Sequence, residues 1–328
     1  MRERPSRILL KCRPTPAQLA DRLAHPVPEG LELYLDAADL REEAWLAQTV
    51  DLLGRHSPPK DFVILVEGPI RSLDGSYFDL TADTEANREV VRGLAAFGQA
   101  VGAVAANIHA IAPRISIRGS REARRDEALR AALPLLRYYV GTCEEAGLRP
   151  LVENIPPVAR MRENACVYTP IGMDPRDLNW LVEQAPGLGV TLDLSHAQLY
   201  LNALRSRIDE APPELAQLLA ALRDRPLSPL RPGDALCADT LDSYVDAVAG
   251  SLVNVHVSNA SGLLGEGLPY DEGEVELDAI VARLLGLADY LVTETLEPDP
   301  ERAVHMRDAQ ARMMAVRDHE RRTTGAGG

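Results

Sequence analysis

Apolar residues recur along this chain in two alternating rhythms. Short runs of β-branched and aliphatic residues, bounded by Gly, Pro or charge, alternate with longer segments whose apolar positions repeat at helical spacing. Strands are expected at Arg7–Cys12 (RILLKC), Leu31–Asp36 (LELYLD), Phe62–Glu67 (FVILVE), Val104–His109 (VAANIH), Pro150–Glu153 (PLVE), Gly189–Leu194 (GVTLDL), Leu252–Val257 (LVNVHV) and Asp289–Glu294 (DYLVTE). Helices are expected at Pro16–Ala24, Arg41–Arg55, Thr84–Val101, Arg121–Gly147, Asp174–Gln184, Leu277–Leu287 and Pro300–Arg317. Asp83 or Thr84 is an N-cap candidate, Asp174-Pro175 is a capping residue followed by a first-turn proline, and Gly147 can end its helix.

Strand–helix alternation of this length implies parallel pairing with helical crossovers. Eight units in a chain of 328 residues suit a closed (β/α)8 TIM barrel better than an open doubly wound sheet. No G-x-G-x-x-G follows the first strand, so a dinucleotide fingerprint is missing. The connection from Asn202 to Gly250 is long and suggests two helices, Pro213–Arg223 and Thr240–Ala249, around the Pro-rich loop RPLSPLRPGD. The expected organisation is one barrel domain over residues 1–322, a helical insertion at about 202–250, and a flexible tail at 323–328.

The carboxyl ends of barrel strands form the active face. Those ends carry Glu67, His109, Glu153, Asp193 with His196, His256, and Glu294. A single ionisable residue at a strand end has a plain explanation as a loop cap or a solvated group, and a lone D-x-x-H such as Asp193–His196 is explained the same way. Six strands ending in metal-ligand residue types are harder to explain so. Such groups converging on one mouth repel unless a cation holds them. An oxygen-rich set with an imidazole favours Mn2+, Co2+ or Mg2+ over a thiolate-seeking ion, with Zn2+ less favoured.

Composition narrows the partners. The net charge is −14, which disfavours nucleic acid, whose phosphates need a basic footprint. Lys11 and Lys60 are the only lysines, so Schiff-base candidates are few. Cys12, Cys143, Cys166 and Cys237 have no C-x-x-C spacing, which suggests free thiols in a cytoplasmic protein. The apolar run near the start is too short for a signal peptide, and no stretch is long enough to span a membrane. A small-molecule substrate is expected, and nothing in the sequence excludes a homo-oligomer.

The motifs LVEN (151–154), LDLSH (192–196), NVHVSNASG (254–262), GEGLPYDEGEVEL (265–277) and LVTE (291–294), in that order, resemble the xylose isomerase-like TIM barrels. That superfamily includes sugar isomerases and epimerases, inosose dehydratases and the AP endonuclease IV branch. The resemblance implies one divalent ion held by Glu153, Asp193, His256 and Glu294. It implies that Glu153 and Glu294 also form the acid–base pair, and that His196 contacts substrate or a metal-bound water. The implied activity is isomerisation or epimerisation of a sugar, sugar acid or cyclitol-like polyol through an enediolate. The alternatives are a dehydratase using the same enolate chemistry and a metal-dependent hydrolase or endonuclease.

Against the endonuclease branch, a histidine of that branch is replaced in Val66-Glu67-Gly68-Pro69. The segment SNASGLLGEGLPYDEG, after the seventh strand, has no histidine where that branch has Asp-x-His. His109, Glu67, Glu266 and Arg160 are candidate substrate contacts. For each the plain alternative stands beside it: a packed histidine, an ion pair with arginine, and solvent exposure for the last two. The Gly-rich GEGLPYDEG lacks the lysine of a phosphate-binding loop and is expected to be a flexible flap, with Tyr270 either touching substrate or, as the plain alternative, exposed to solvent. Trp180 is expected in the core.

Overall fold

The computed structural model describes residues 6–24, 26–41, 43–56, 59–113, 121–160, 166–206, 215–216, 219–220 and 239–325. In chain order these form β1 (Arg7–Cys12), α1 (Pro16–Arg22), β2 (Gly30–Tyr34), α2 (Glu43–His56), β3 (Val63–Glu67), α3 (Glu85–Ala100), β4 (Ala105–His109), α4 (Arg121–Glu145) and β5 (Arg149–Glu153). They continue with β6 (Val158–Arg160), β7 (Cys166–Tyr168), α5 (Pro175–Gln184), β8 (Gly189–Asp193), α6 (Leu194–Arg205), α7 (Leu241–Val248) and β9 (Leu252–Val257). Last come β10 (Asn259–Ser261), β11 (Gly265–Leu268), α8 (Leu277–Leu284), β12 (Tyr290–Thr293) and α9 (Val304–Gly325).

Eight strands close in the order β1-β12-β9-β8-β5-β4-β3-β2, every neighbouring pair parallel. The expected (β/α)8 barrel is the observed one. Helix starts follow local chemistry. Thr84 accepts from Asn87 N at 3.3 Å, and Asp174 accepts from Arg176 N at 3.0 Å. Gly147, just past α4, has φ 74, the left-handed conformation that ends a helix cheaply only at glycine.

Side chains on a strand alternate between the two faces, and that alternation builds the site. Outward residues such as Ile8, Leu10, Val66, Ile108, Val152 and Val190 pack with helix residues including Leu19, Val91, Leu94, Leu135 and Leu178 in one core. Inward residues form a separate apolar floor of Leu9, Leu65, Ala105, Leu151, Val253 and Val292. Two residues further along the same strands, toward their carboxyl ends, stand Lys11, Glu67, Asn107, Glu153 and Glu294. The barrel is therefore dry at the bottom and ionic at the top.

β9 breaks this period. Its pairing with β8 shifts register between Val190↔Leu252 and Thr191↔Asn254, so Val253 is an extra residue. Such a bulge re-aims the side chains beyond it. It lets Val253 join the floor while Asn254 and His256 still turn inward. Space for Val253 comes from Gly189 on β8. A Cβ there would meet a Val253 methyl carbon at 2.6 Å and Leu151 Cδ2 at 2.9 Å.

Four departures from the sequence expectations stand out. The glycine-rich segment is not a free flap: β10 and β11 form an antiparallel hairpin. Gly267 N donates to Ser195 Oγ at 3.2 Å, and Leu296 N donates to Gly267 O at 2.7 Å, so the hairpin is tied to α6 and to the segment after β12. Tyr270 is buried, 6% exposed, beside Arg312. α9 runs on to Gly325, into the segment expected to fray. A second small hairpin, β6–β7, follows β5. Trp180 packs against the core, and α7 occupies the second expected helix of the insertion. Most of the first, Pro213–Arg223, and the loop RPLSPLRPGD lie outside the described residues.

The contact between Gly189 and Val253 yields a stability prediction. Gly189→Ala should cost about 1–3 kcal/mol through overpacking, measured as a lower urea midpoint. An unchanged midpoint would show that the bulge has room to spare.

Candidate metal centre at the barrel mouth

Glu153, Asp193, His256 and Glu294 come from β5, β8, β9 and the residue after β12, and one donor atom from each lies within 4.8 Å of the others. His256 Nδ1 is 3.2 Å from Glu153 Oε1, 2.6 Å from Glu294 Oε2 and 4.0 Å from Asp193 Oδ2. The first three side chains are almost wholly buried, whereas that of Glu294 is 32% exposed. The cluster thus opens to solvent on the Glu294 side. Glu294 Oε2 has no hydrogen-bond partner despite its closeness to His256. An orphaned carboxylate oxygen facing an imidazole nitrogen and two further carboxylates is the donor set of a divalent-cation site, so these residues fit a metal ion.

Each ligand is held by its other polar atom. Strand β8 runs directly into α6, and Asp193 caps that helix: its Oδ1 accepts from His196 N at 2.7 Å, leaving Oδ2 to face the cluster. Asn107 Nδ2 donates to Glu153 Oε2, which leaves Glu153 Oε1 toward His256. His256 Nε2 lies 2.8 Å from Glu32 Oε2. A carboxylate can only accept there, so Nε2 donates. Nδ1 faces Glu153 and Glu294. Burial opposes protonation, but Glu153, Glu294 and Glu32 outweigh it and hold the His256 pKa well above its usual range, and a bound ion would take the place of the Nδ1 proton. Asn154 clamps the same corner. Its side chain both accepts from Asp193 N at 2.6 Å and donates to Asp193 O at 3.0 Å. Its carbonyl takes the His196 Nδ1 proton at 2.9 Å. His196 Nε2 is then the free nitrogen, 3.9 Å from Glu266 Oε2 on the β10–β11 hairpin.

Lys11 sits inside this cluster. Its Nζ pairs with Glu67 and lies 3.2 Å from Glu294 Oε1. Burial alone would lower the Lys11 pKa, but Glu294, Glu32, Glu67 and Glu153 outweigh it and hold the ammonium well above its usual range. Burial pushes Glu67 up to about 7, with Lys11 opposing. Burial also pushes Glu153 and Glu294 up, yet both end lower. His256 and His109 bring Glu153 well below the carboxylate range, and His256 with Lys11 brings Glu294 to about 2. Burial, with Glu294 and Glu153 near, lifts Asp193 to about 6 against His196. Burial opposes protonation of His196, and Asp193, Glu266 and Glu153 overcome it and raise His196 to about 9.

All the strand-end residues singled out in the sequence therefore meet at one mouth. Glu67 pairs with a lysine, not the arginine expected as its plain alternative. His109 Nε2 is 3.7 Å from Glu153 Oε1, and its Nδ1 has no hydrogen-bond partner. Glu266 stands above His196 with its side chain 37% exposed. The Arg160 backbone belongs to β6, while its side chain and the whole of Arg162 lie outside the described residues. Sequence reasoning missed Lys11, Glu32, Asn107, Asn154 and Asn254. Lys11 and Glu32 come from the two strands whose ends had offered no ligand. The available signal was phase: each is a polar residue in a largely apolar strand, two positions from an inward apolar or glycine position.

No family model matches the chain. Solved structures do match its fold. A D-tagatose 3-epimerase-like protein superposes with a TM-score of 0.63 at 14% identity, covering 95% of this chain and 99% of that one. The 3-keto-D-glucoside 4-epimerase of E. coli gives 0.60 at 11% identity, covering 95% and 99%. A xylose isomerase domain protein from Planctomyces limnophilus gives 0.58 at 12% identity, covering 97% and 99%. All three share the (β/α)8 barrel fold with this chain.

In this barrel the buried carboxylates should make folding sensitive to divalent ions. A ligand that binds only the folded state stabilises it by about 2.7 kcal/mol at a hundredfold excess over Kd. Adding Mn2+ to the chelator-treated protein should therefore raise the melting temperature. The absence of any shift with Mn2+, Co2+, Mg2+ or Zn2+ would remove the cluster as an ion site.

Proposed function

We propose that this protein is a divalent-metal-dependent isomerase or epimerase acting on a small sugar, sugar acid or cyclitol-like polyol through an enediolate. The observation that carries the reading is the pair of carboxylates Glu153 and Glu294. Both face His256 Nδ1 from different strands, and Glu294 is on the side open to solvent. The solved epimerases of the same fold support the substrate class. Mn2+, Co2+ or Mg2+ suits the oxygen-rich donor set better than Zn2+.

An ion bound by Glu153, Asp193, His256 and Glu294 supplies polarisation of a substrate carbonyl and its neighbouring hydroxyl. Glu153 and Glu294 are both ionised at neutral pH, so either can accept the α-proton. The C–H bond breaks, its electron pair forms the enediolate double bond, and the carboxylate becomes the carboxylic acid. Return of a proton to the opposite face inverts the centre, and return to the neighbouring carbon, with the hydroxyl proton passed between the two oxygens, moves the carbonyl. His196, charged and with Nε2 free, donates to a substrate oxygen from above, with Glu266 beside it. His109 is assigned a contact with the bound polyol, while Glu67 is taken by Lys11. With its net charge of −14, the chain is not built for nucleic acid, and among the described residues no helix is long and apolar enough to cross a membrane.

Glu294→Gln tests the mechanism. The amide is nearly isosteric, so the fold should persist, while metal binding should weaken. Turnover should fall by more than the roughly 10²–10⁴-fold that loss of a general base costs, even at saturating metal. In deuterium oxide the wild type should place deuterium at the α-carbon of a turned-over sugar. Full activity in Glu294→Gln would remove this residue from the mechanism. Cleavage of abasic-site DNA that survives repurification and vanishes in Asp193→Asn would replace the reading with a hydrolase.

A further inference from the structure

Beside the main ligand set lie two further groups of donor atoms, each within 4.8 Å: Glu32, Glu67 and His256, and Glu67, His109 and Glu153. Glu67 belongs to both. Glu32 Oε1 and His109 Nδ1 are buried in these groups without hydrogen-bond partners, so by ligand type either group could take a cation. One cation is already there. Lys11 Nζ pairs with Glu67, stands 3.2 Å from Glu294 Oε1 and lies 3.5 Å from His256 Nε2. Its side chain is 4% exposed, and its backbone is in register with Glu32 on the neighbouring strand.

We propose that Lys11 is a built-in cation that takes the second cation position of this cluster, denies Glu67 to a metal, and so restricts the centre to one divalent ion. The inference rests on the reading of Glu153, Asp193, His256 and Glu294 as the ion site. An ammonium has three donors and no acceptor capacity, and Glu67 and Glu294 offer it carboxylate oxygens. Its tether to β1 keeps it from exchanging with solvent. A second divalent ion at either group would have to displace the ammonium from Glu67 and then sit within a few ångströms of it, where like charges in a buried site repel strongly. The chemical consequence deepens the proposed function. Paired ions clamp the attacking and leaving oxygens of a displacement. One ion with a fixed ammonium offers no such clamp and leaves enolisation as the suited reaction.

Metal counting tests this on the full chain. Wild type, Lys11→Met, Lys11→Arg and the double variant Lys11→Met/Glu67→Gln are stripped, loaded with excess Mn2+, desalted, and measured for Mn per chain and by electron paramagnetic resonance. Wild type and Lys11→Arg should hold one Mn with the spectrum of an isolated ion. Lys11→Met should hold two, with a spin-coupled spectrum, and the double variant should return to one. Two ions in wild type, or one in folded Lys11→Met, overturns the inference while the main site stands. No ion in wild type removes the main site and the inference with it. Where Lys11→Met does not fold by circular dichroism, wild-type crystals soaked in excess MnCl2 decide. A single anomalous peak among Glu153, Asp193, His256 and Glu294 supports the inference, and a second peak at Glu67 overturns it.

Discussion

The site depends on one fully buried imidazole with carboxylates on both sides. His256 has Glu32 at Nε2 and Glu153 with Glu294 at Nδ1. Everything that orients these groups is strand register. Asp193 pairs with His256, His109 with Glu153, and Lys11 with Glu32. A slip of one residue in any of these strands would turn its polar side chain into the helix layer. The bulge at Val253 matters for the same reason, because it sets the phase in which β9 presents Asn254 and His256.

Burying five carboxylates in one mouth is costly, since each loses hydration and repels its neighbours. The protein offsets this with positive charge from Lys11, His196 and His256 and with neutral donors from Asn107 and Asn254. Glu32 Oε1 and Glu294 Oε2 still lack partners. Most buried polar atoms in folded proteins find one. The residual deficit of positive charge and donors is what would give the mouth affinity for a cation. The apolar floor beneath, with Leu9, Leu65 and Val292 among its members, keeps bulk water from relieving that deficit from below.

A barrel of this kind is compatible with many reactions, so the fold alone does not choose one. The choice comes from the mouth. Glu294 is the partly exposed member of the candidate ligand set, and His196 Nε2 lies 3.9 Å from Glu266 on the β10–β11 hairpin. That hairpin is fastened by Ser195, the neighbour of His196, and by the chain just beyond Glu294. The solvent-open side of the cluster and its rim are thus built from the same short segments.

Much of this was legible in the linear chain because it depends on short-range regularities. Short β-branched and aliphatic runs revealed LVNVHV and FVILVE as strands. Thr84 and Asp174 marked helix starts through hydrogen bonds to residues two or three positions away. The convergence of Glu67, His109, Glu153, Asp193, His256 and Glu294 followed once eight strand–helix units implied a common face. What the tertiary structure decided lies in pairings across long sequence separations. Glu32 and His256 are 224 residues apart, Lys11 and Glu67 are 56 apart, and neither pair leaves a mark in local periodicity. The bulge at Val253 is equally silent in LVNVHV, because an inserted inward residue in an apolar run looks like one more apolar residue. A strand's alternation sets which side chains share a face. Only the closing of β1 onto β12 and β2, and of β9 onto β8, determined which of those faces meet.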